Sequence, residues 1–230
     1  MNRIPDHRVR ALGHIAEKLA KLDRNEAARR LQAEINRLRQ GVEALDTVFA
    51  SRNPVETEAA HTKKVATMAR KLDQEVTAAI NRAGMILKEG SHNLQRRIDE
   101  RVNLKPDAFA AEIRATFRAM SRKDQLKLMG ELVRENRGPE LAAIVKAPSI
   151  LTGLSADEQA RFEQAILGMH APDEMAEMAD LNEAFEVSLT ATRVAGTFAN
   201  SLTSPGKVAA IEKGEAASEA ALSAFDQALQ

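Results

Sequence analysis

Between Leu31 and Phe49 the apolar residues return at steps of 4, 3, 4, 3 and 4: Leu31, Ile35, Leu38, Val42, Leu45, Phe49. That alternation is the seam of a helix packed lengthwise on another helix. A strand, with its period of two, cannot reproduce it. A second seam precedes it, Leu12, Ile15, Leu19 and Leu22, with steps of 3, 4 and 3. The two are out of phase, because continuing the first would place Glu26 and Arg29 in the seam. Between them, Asn25 suits a helix cap and Glu26 supplies early negative charge. The N-terminal segment up to Ala50 is therefore either a tight helical hairpin or one helix with a phase break, the hairpin being the favoured reading.

"SRNPVE", residues 51–56, punctuates the chain. Asn53 reads as an N-cap, Pro54 as the first helical residue and Glu56 as the residue three after the cap. A long helix is expected to follow to about Val102, carrying Val65, Met68, Leu72, Val76, Ile80, Ala83, Leu87, Leu94 and Ile98 on its apolar face. "KEGSHN", residues 88–93, is where it is expected to kink, since Gly90 and Ser91 weaken helix. Ala79, Ala83, Gly84 and Gly90 lie on or beside the apolar face and admit a close partner helix.

Beyond residue 105 the texture shortens. Pro106 and Asp107 open a helix with Phe109, Ile113, Phe117 and Met120 on one face. Ser121 caps the next, Gly138 breaks it, and Pro139 restarts the chain. Ser155 with Glu158 three residues later is a capping box. The connector "IVKAPSILTGL" stays apolar around Pro148, which predicts that Ile150, Leu151 and Leu154 are buried between neighbouring helices. A long helix that starts acidic runs from about Asp173 to Leu202, and "TSPGK" ends it. The Ala/Ser/Glu-rich tail reads as a short docking helix (Leu222, Phe225, Leu229) or a frayed end. The expected fold is all-α, with long antiparallel, coiled-coil-like helices followed by a compact multi-helix module. The expected boundaries are 1–104 for the extended part, 105–203 for the module and 204–230 for the tail.

Composition supports helices packed through aliphatic and alanine seams: aromatics are only 3%, and Ala, Leu, Glu, Lys, Arg and Gln dominate. With no cysteine, disulfides, thiolate metal sites and cysteine nucleophiles are all excluded. No run approaches the apolar length of a membrane span, and the first residues do not read as a secretory signal. Charge is uneven although the net is zero. Residues 1–138 hold 28 Lys and Arg against 19 Asp and Glu, whereas residues 139–230 hold 5 against 14. This fits complementary contacts within or between chains, or a basic part that meets an anion.

Catalytic patterns are missing. The histidines, His7, His14, His61, His92 and His170, contain no pair four apart. "SPGK", Ser204–Lys207, lacks the context of a phosphate loop, and there is no nucleophile elbow. The expectation is a non-enzymatic protein without cofactor or metal. Arg29, Arg30, Arg37, Lys63, Lys64, Arg96 and Arg97 form a candidate stripe for nucleic-acid phosphates. They alternate with acids, however, and no aromatic platform accompanies them.

The run "EIRATFRAMSRKDQLKLMGELVRENRGPELAAIVKAPSILTGLSADEQ", residues 112–159, resembles a pattern in helical proteins of tailed bacteriophages. The matching positions are Leu141, Ala142, Ile144, Val145, Ala147, Pro148, Ile150, Leu151, Gly153 and Leu154. The resemblance covers about a quarter of the chain and rests on helix-packing residues. It implies a phage virion or assembly setting, in the particle or the host cytoplasm, and carries over no functional residue. The expected function is a structural or assembly protein that joins copies of itself and other virion proteins. The expected seam is Leu31, Ile35, Leu38, Leu45, Leu72, Val76 and Ile80, closing within or between chains. The alternatives are a nucleic-acid-associated protein using the basic N-terminal helices, and a small adaptor that docks on a partner protein.

Overall fold

In the computed structural model, which describes residues 7–22 and 25–228, every regular element is a helix. In chain order these are α1 (His7–Leu19), α2 (Glu26–Ala50), α3 (Glu58–Val102), α4 (Ala110–Ala119), α5 (Arg122–Arg134), α6 (Gly138–Val145), α7 (Ser149–Thr152), α8 (Ala156–His170), α9 (Pro172–Thr203) and α10 (Pro205–Ala228). The all-α expectation holds, with α1 and α2 as two separate helices. Asn25 is the N-cap of α2, its side chain accepting from the Ala28 amide at 2.7 Å. No helix among the described residues is long and apolar enough to cross a membrane.

The domain boundaries differ from the expected ones. One compact unit takes the chain up to Leu87 and again from Glu183 on; the other is Lys88–Asn182. The first unit is thus discontinuous in sequence, and α3 and α9 each contribute to both. Contacts between residues distant in sequence set this division, and a pass along the chain cannot see them.

In the first unit, α2 and α3 run antiparallel, because the residues they bring together sum to a nearly constant number. Glu34 meets Arg82, Arg37 meets Glu75, and Gly41 lies against Leu72. Leu31, Ile35, Leu38, Val42 and Leu45 are buried along α2, but Phe49 is exposed beyond the end of the seam. On α3 the buried positions of this unit are Val65, Ala66, Ala69, Leu72, Val76, Ala79, Ala83 and Ile86. Ile80 departs from the expected seam and is 42% exposed. Ala79 and Ala83 occupy the inward register instead, one alanine on each side of it. C-terminal to Asn182, α9 adds Ala184, Ser188, Ala191, Ala195 and Phe198 at steps of 4, 3, 4 and 3. This seam of small residues lets helices approach closely. The buried Ser188 hydroxyl donates to the Ala184 carbonyl at 2.7 Å, which satisfies it without a partner helix.

One expectation about α3 needs correction. It begins at Glu58, with Thr57 as the side chain that accepts from the Ala60 amide. Asn53 and Pro54 belong to a turn before it, where the Asn53 side-chain oxygen Oδ1 accepts from the Val55 amide. The helix is continuous through residues 88–93.

The second unit is built around α6, whose residues Leu141–Val145 are all buried. A helix that is apolar all round must be central. It is enclosed by Ile98 and Val102 of α3, Phe117 of α4, Met129, Leu132 and Val133 of α5, and Ile166 of α8. Short helices leave many unpaired carbonyls, and side chains cover them. Gln159 Nε2 donates to the Ile144 and Ala147 carbonyls, and Gln125 Nε2 to that of Phe117. Gly153 ends α7 with φ +73, a left-handed cap.

The capping box of α8 forms as expected: the Ser155 hydroxyl accepts from the Glu158 amide, and the Glu158 carboxylate accepts from the Ser155 amide. That backbone hydrogen bond, with a further one from the Ser155 hydroxyl, holds the Glu158 carboxyl below its ordinary pKa. The contribution is therefore complete above the unfolded value and is lost as pH falls through the lower folded one. We predict that Ser155→Ala costs about 1 kcal/mol in urea unfolding at neutral pH. The difference from wild type shrinks in the acid range, where Glu158 is protonated in both. A pH-independent difference would show that the box contributes only through the serine.

Candidate interaction surfaces

The expected seam closes within one chain. Leu31, Ile35, Leu38, Leu45, Leu72 and Val76 are all buried by their own chain, so they hold the fold and offer nothing to a partner. Only Ile80 of that set is exposed.

The cationic stripe is likewise engaged. Arg37 Nε lies 3.3 Å from Glu75, Lys64 Nζ 3.6 Å from Glu56 and Arg96 Nη1 3.8 Å from Glu100. Lys63 pairs with Glu215 of α10, and that hydrogen bond, reinforced by Glu212 and Glu219, raises the pKa of its ammonium. Arg29 and Arg30 also have interaction partners. A phosphate approaching such cations must displace their carboxylates and then sit beside them, which offsets much of the gain from counterion release.

Arg97 is the most firmly held of the set. Its guanidinium reaches both oxygens of Glu177 at 2.9 and 3.1 Å and Oε1 of Glu174 at 3.1 Å. Arg101 Nε lies 2.9 Å from the same Glu174 oxygen. Glu174 is fully buried, two residues into α9, and its Oε2 has no hydrogen-bond partner. A buried carboxylate is tolerable only when cations surround it. The two arginines of α3 supply that charge and pin the start of α9. In the sequence, the spacing of three between Glu174 and Glu177 and of four between Arg97 and Arg101 places each pair on one helical face.

No group of three or more His, Asp or Glu among the described residues is placed to hold a metal. Two Glu-x-x-His spacings, Glu58–His61 and Glu89–His92, lie on α3, and neither gathers a third ligand.

Among the described residues, two exposed apolar surfaces stand out. The first is α10. Of its described side chains only Val208 is buried, while Leu222 and Phe225 are 63% and 61% exposed. The tail is thus a longer helix than expected, docked at its start; Leu229 lies outside the described residues. The second is beside α7. Leu154 is buried as expected, but Ile150 is 79% and Leu151 43% exposed. The Pro148 connector therefore points one apolar side chain inward and two outward. Leu151 forms one wall of a groove of about 580 Å³ whose other wall is α4, with Ala111, Arg114, Ala115, Arg118 and Ala119. Phe109, expected on the inward face with Phe117, is exposed at the start of α4.

Comparisons of the chain with family models, with curated proteins and with solved structures give no match.

Proposed function

We propose that this chain is a non-enzymatic structural or assembly protein of a tailed-bacteriophage particle that acts through helix-mediated contacts with copies of itself and with other virion proteins. The observation that carries self-association is α10, a 24-residue helix with one buried side chain among those described. In proteins most helical stability comes from packing of an apolar face, and this helix displays Leu222 and Phe225 without covering them. A helix of that kind gains its stability from a partner. The seam of Leu31, Ile35, Leu38, Leu45, Leu72 and Val76 is covered within the chain, so association passes to the surfaces left uncovered. The phage setting rests on the packing pattern of residues 112–159.

The test is absolute mass by light scattering on a sizing column over a wide concentration range. The expected result is a species heavier than the 25.1 kDa chain, with a mass that rises to a plateau with concentration. A strict 25.1 kDa monomer throughout would overturn the self-association.

A further inference from the structure

We propose that the groove between α4 and α7 is the receptor for α10 of a second copy of this chain. The inference rests on the self-association proposed above and names the two surfaces that meet.

The groove is shaped for a helix. Ala111, Ala115 and Ala119 recur every four residues along α4, so their methyl groups form one shallow trough. Leu151 borders it, with Ile150 beside Leu151 in sequence and more exposed. A trough of small residues leaves room for large side chains from an incoming helix. Leu222 and Phe225, three residues apart, share a face of α10, and Leu222 lies opposite Ala216, Ala217, Ala220 and Ala224. That face, not the alanines, meets the trough and the exposed Leu151 at its border.

Charge selects the same occupant. The groove is lined by Arg114 and Arg118 and by no carboxylate. Glu112, the acid of α4, instead lines a separate cavity of about 270 Å³ with Ile113 and Phe117. Arg114 is steadied by donating to the Ala143 carbonyl. On α10 both lysines, Lys207 and Lys213, come early. From Glu215 onward its charges are Glu215, Glu219 and Asp226, all negative. Glu219 and Asp226 lie three before and four after Leu222, so they flank the apolar contact on the same helical face. Two such acidic helices repel each other, which disfavours pairing of α10 with α10. An alanine trough with two arginines attracts one.

A contact between unlike surfaces either propagates or closes by reciprocal exchange. In both cases it is separable into halves, and the full-length chain tests it by complementation. Leu151→Asp disrupts the groove and Phe225→Asp the helix face. Both sites are exposed, so both variants are expected to melt like wild type. Each alone is expected to run as a 25.1 kDa monomer at concentrations where wild type associates. Mixed in equal amounts, they are expected to give a species of twice that mass, because one copy still brings an intact groove and the other an intact helix. Three outcomes overturn the inference while leaving self-association standing. These are assembly of both variants like wild type; dissociation of Phe225→Asp alone, which sends α10 to another surface; and dissociation of both without complementation. A monomeric wild type overturns self-association itself, and this inference with it.

Discussion

Replacing Gly138 with alanine is expected to destabilise the Lys88–Asn182 unit by about 3 kcal/mol or more, a loss of roughly 12–24 °C in the melting temperature of a unit of that size. A Cβ at this position would stand 1.6 Å from the Val102 carbonyl oxygen, 2.8 Å from the Val102 carbonyl carbon and 2.9 Å from the Asn103 oxygen. All three are backbone atoms at the end of α3, so no side chain can swing aside. Either α3 or α6 must move, and α6 is the apolar centre of the unit. The left-handed Asn103 (φ 50) directly follows α3 and fixes where its last carbonyls point. By contrast, nothing lies within 4 Å of a Cβ built at Gly130. Gly130→Ala is expected to be neutral or slightly stabilising, as alanine is the better helix former. Thermal melts of the two variants side by side check the claim; equal melting temperatures would refute it.

Leu38→Asp is expected to cost more than about 4 kcal/mol and to abolish cooperative unfolding of the first unit. Leu38 is buried in the α2 seam. Truncating such a leucine to alanine typically costs about 2–5 kcal/mol, and a carboxylate there adds an unpaired buried charge. Ile80→Asp, by contrast, is expected to stay within about 0.5 kcal/mol, since that side chain already meets solvent. The pair separates two roles that the helical period alone leaves together. If the seam joined chains instead of closing one, Leu38→Asp would yield a folded monomer, with unchanged circular dichroism and reduced mass. Urea unfolding and light scattering on the same samples decide between these.

These two positions also mark how far residue patterns reach. The spacing of Leu31, Ile35, Leu38, Val42 and Leu45 determined a helix, its buried face and its need for a partner helix, because burial of large aliphatic groups follows the local period. Asn25, Ser121 and the Ser155–Glu158 box determined helix starts for the same local reason. Ile80 broke the pattern because the period tolerates two adjacent registers on α3. The narrower one, through Ala79 and Ala83, wins where a partner helix comes close, and only packing shows that it does. Gly138 read as a break in the chain; its true constraint is a carbonyl 36 residues away in sequence.

The charged residues divide in the same way. Their number and sign, basic before residue 139 and acidic after it, were plain in composition. Their partners were not, because an ion pair such as Arg97 with Glu174 and Glu177 joins residues some 80 apart. The sequence by itself determined that this protein is helical, where most helices begin, and which aliphatic faces must be covered, since those follow from interactions within a few residues. Only the tertiary structure decided which chain covers them, which arginines are spent on glutamates, and that Ile150, Leu151, Leu222 and Phe225 are left in solvent. Those outcomes depend on which distant segments the chain brings together.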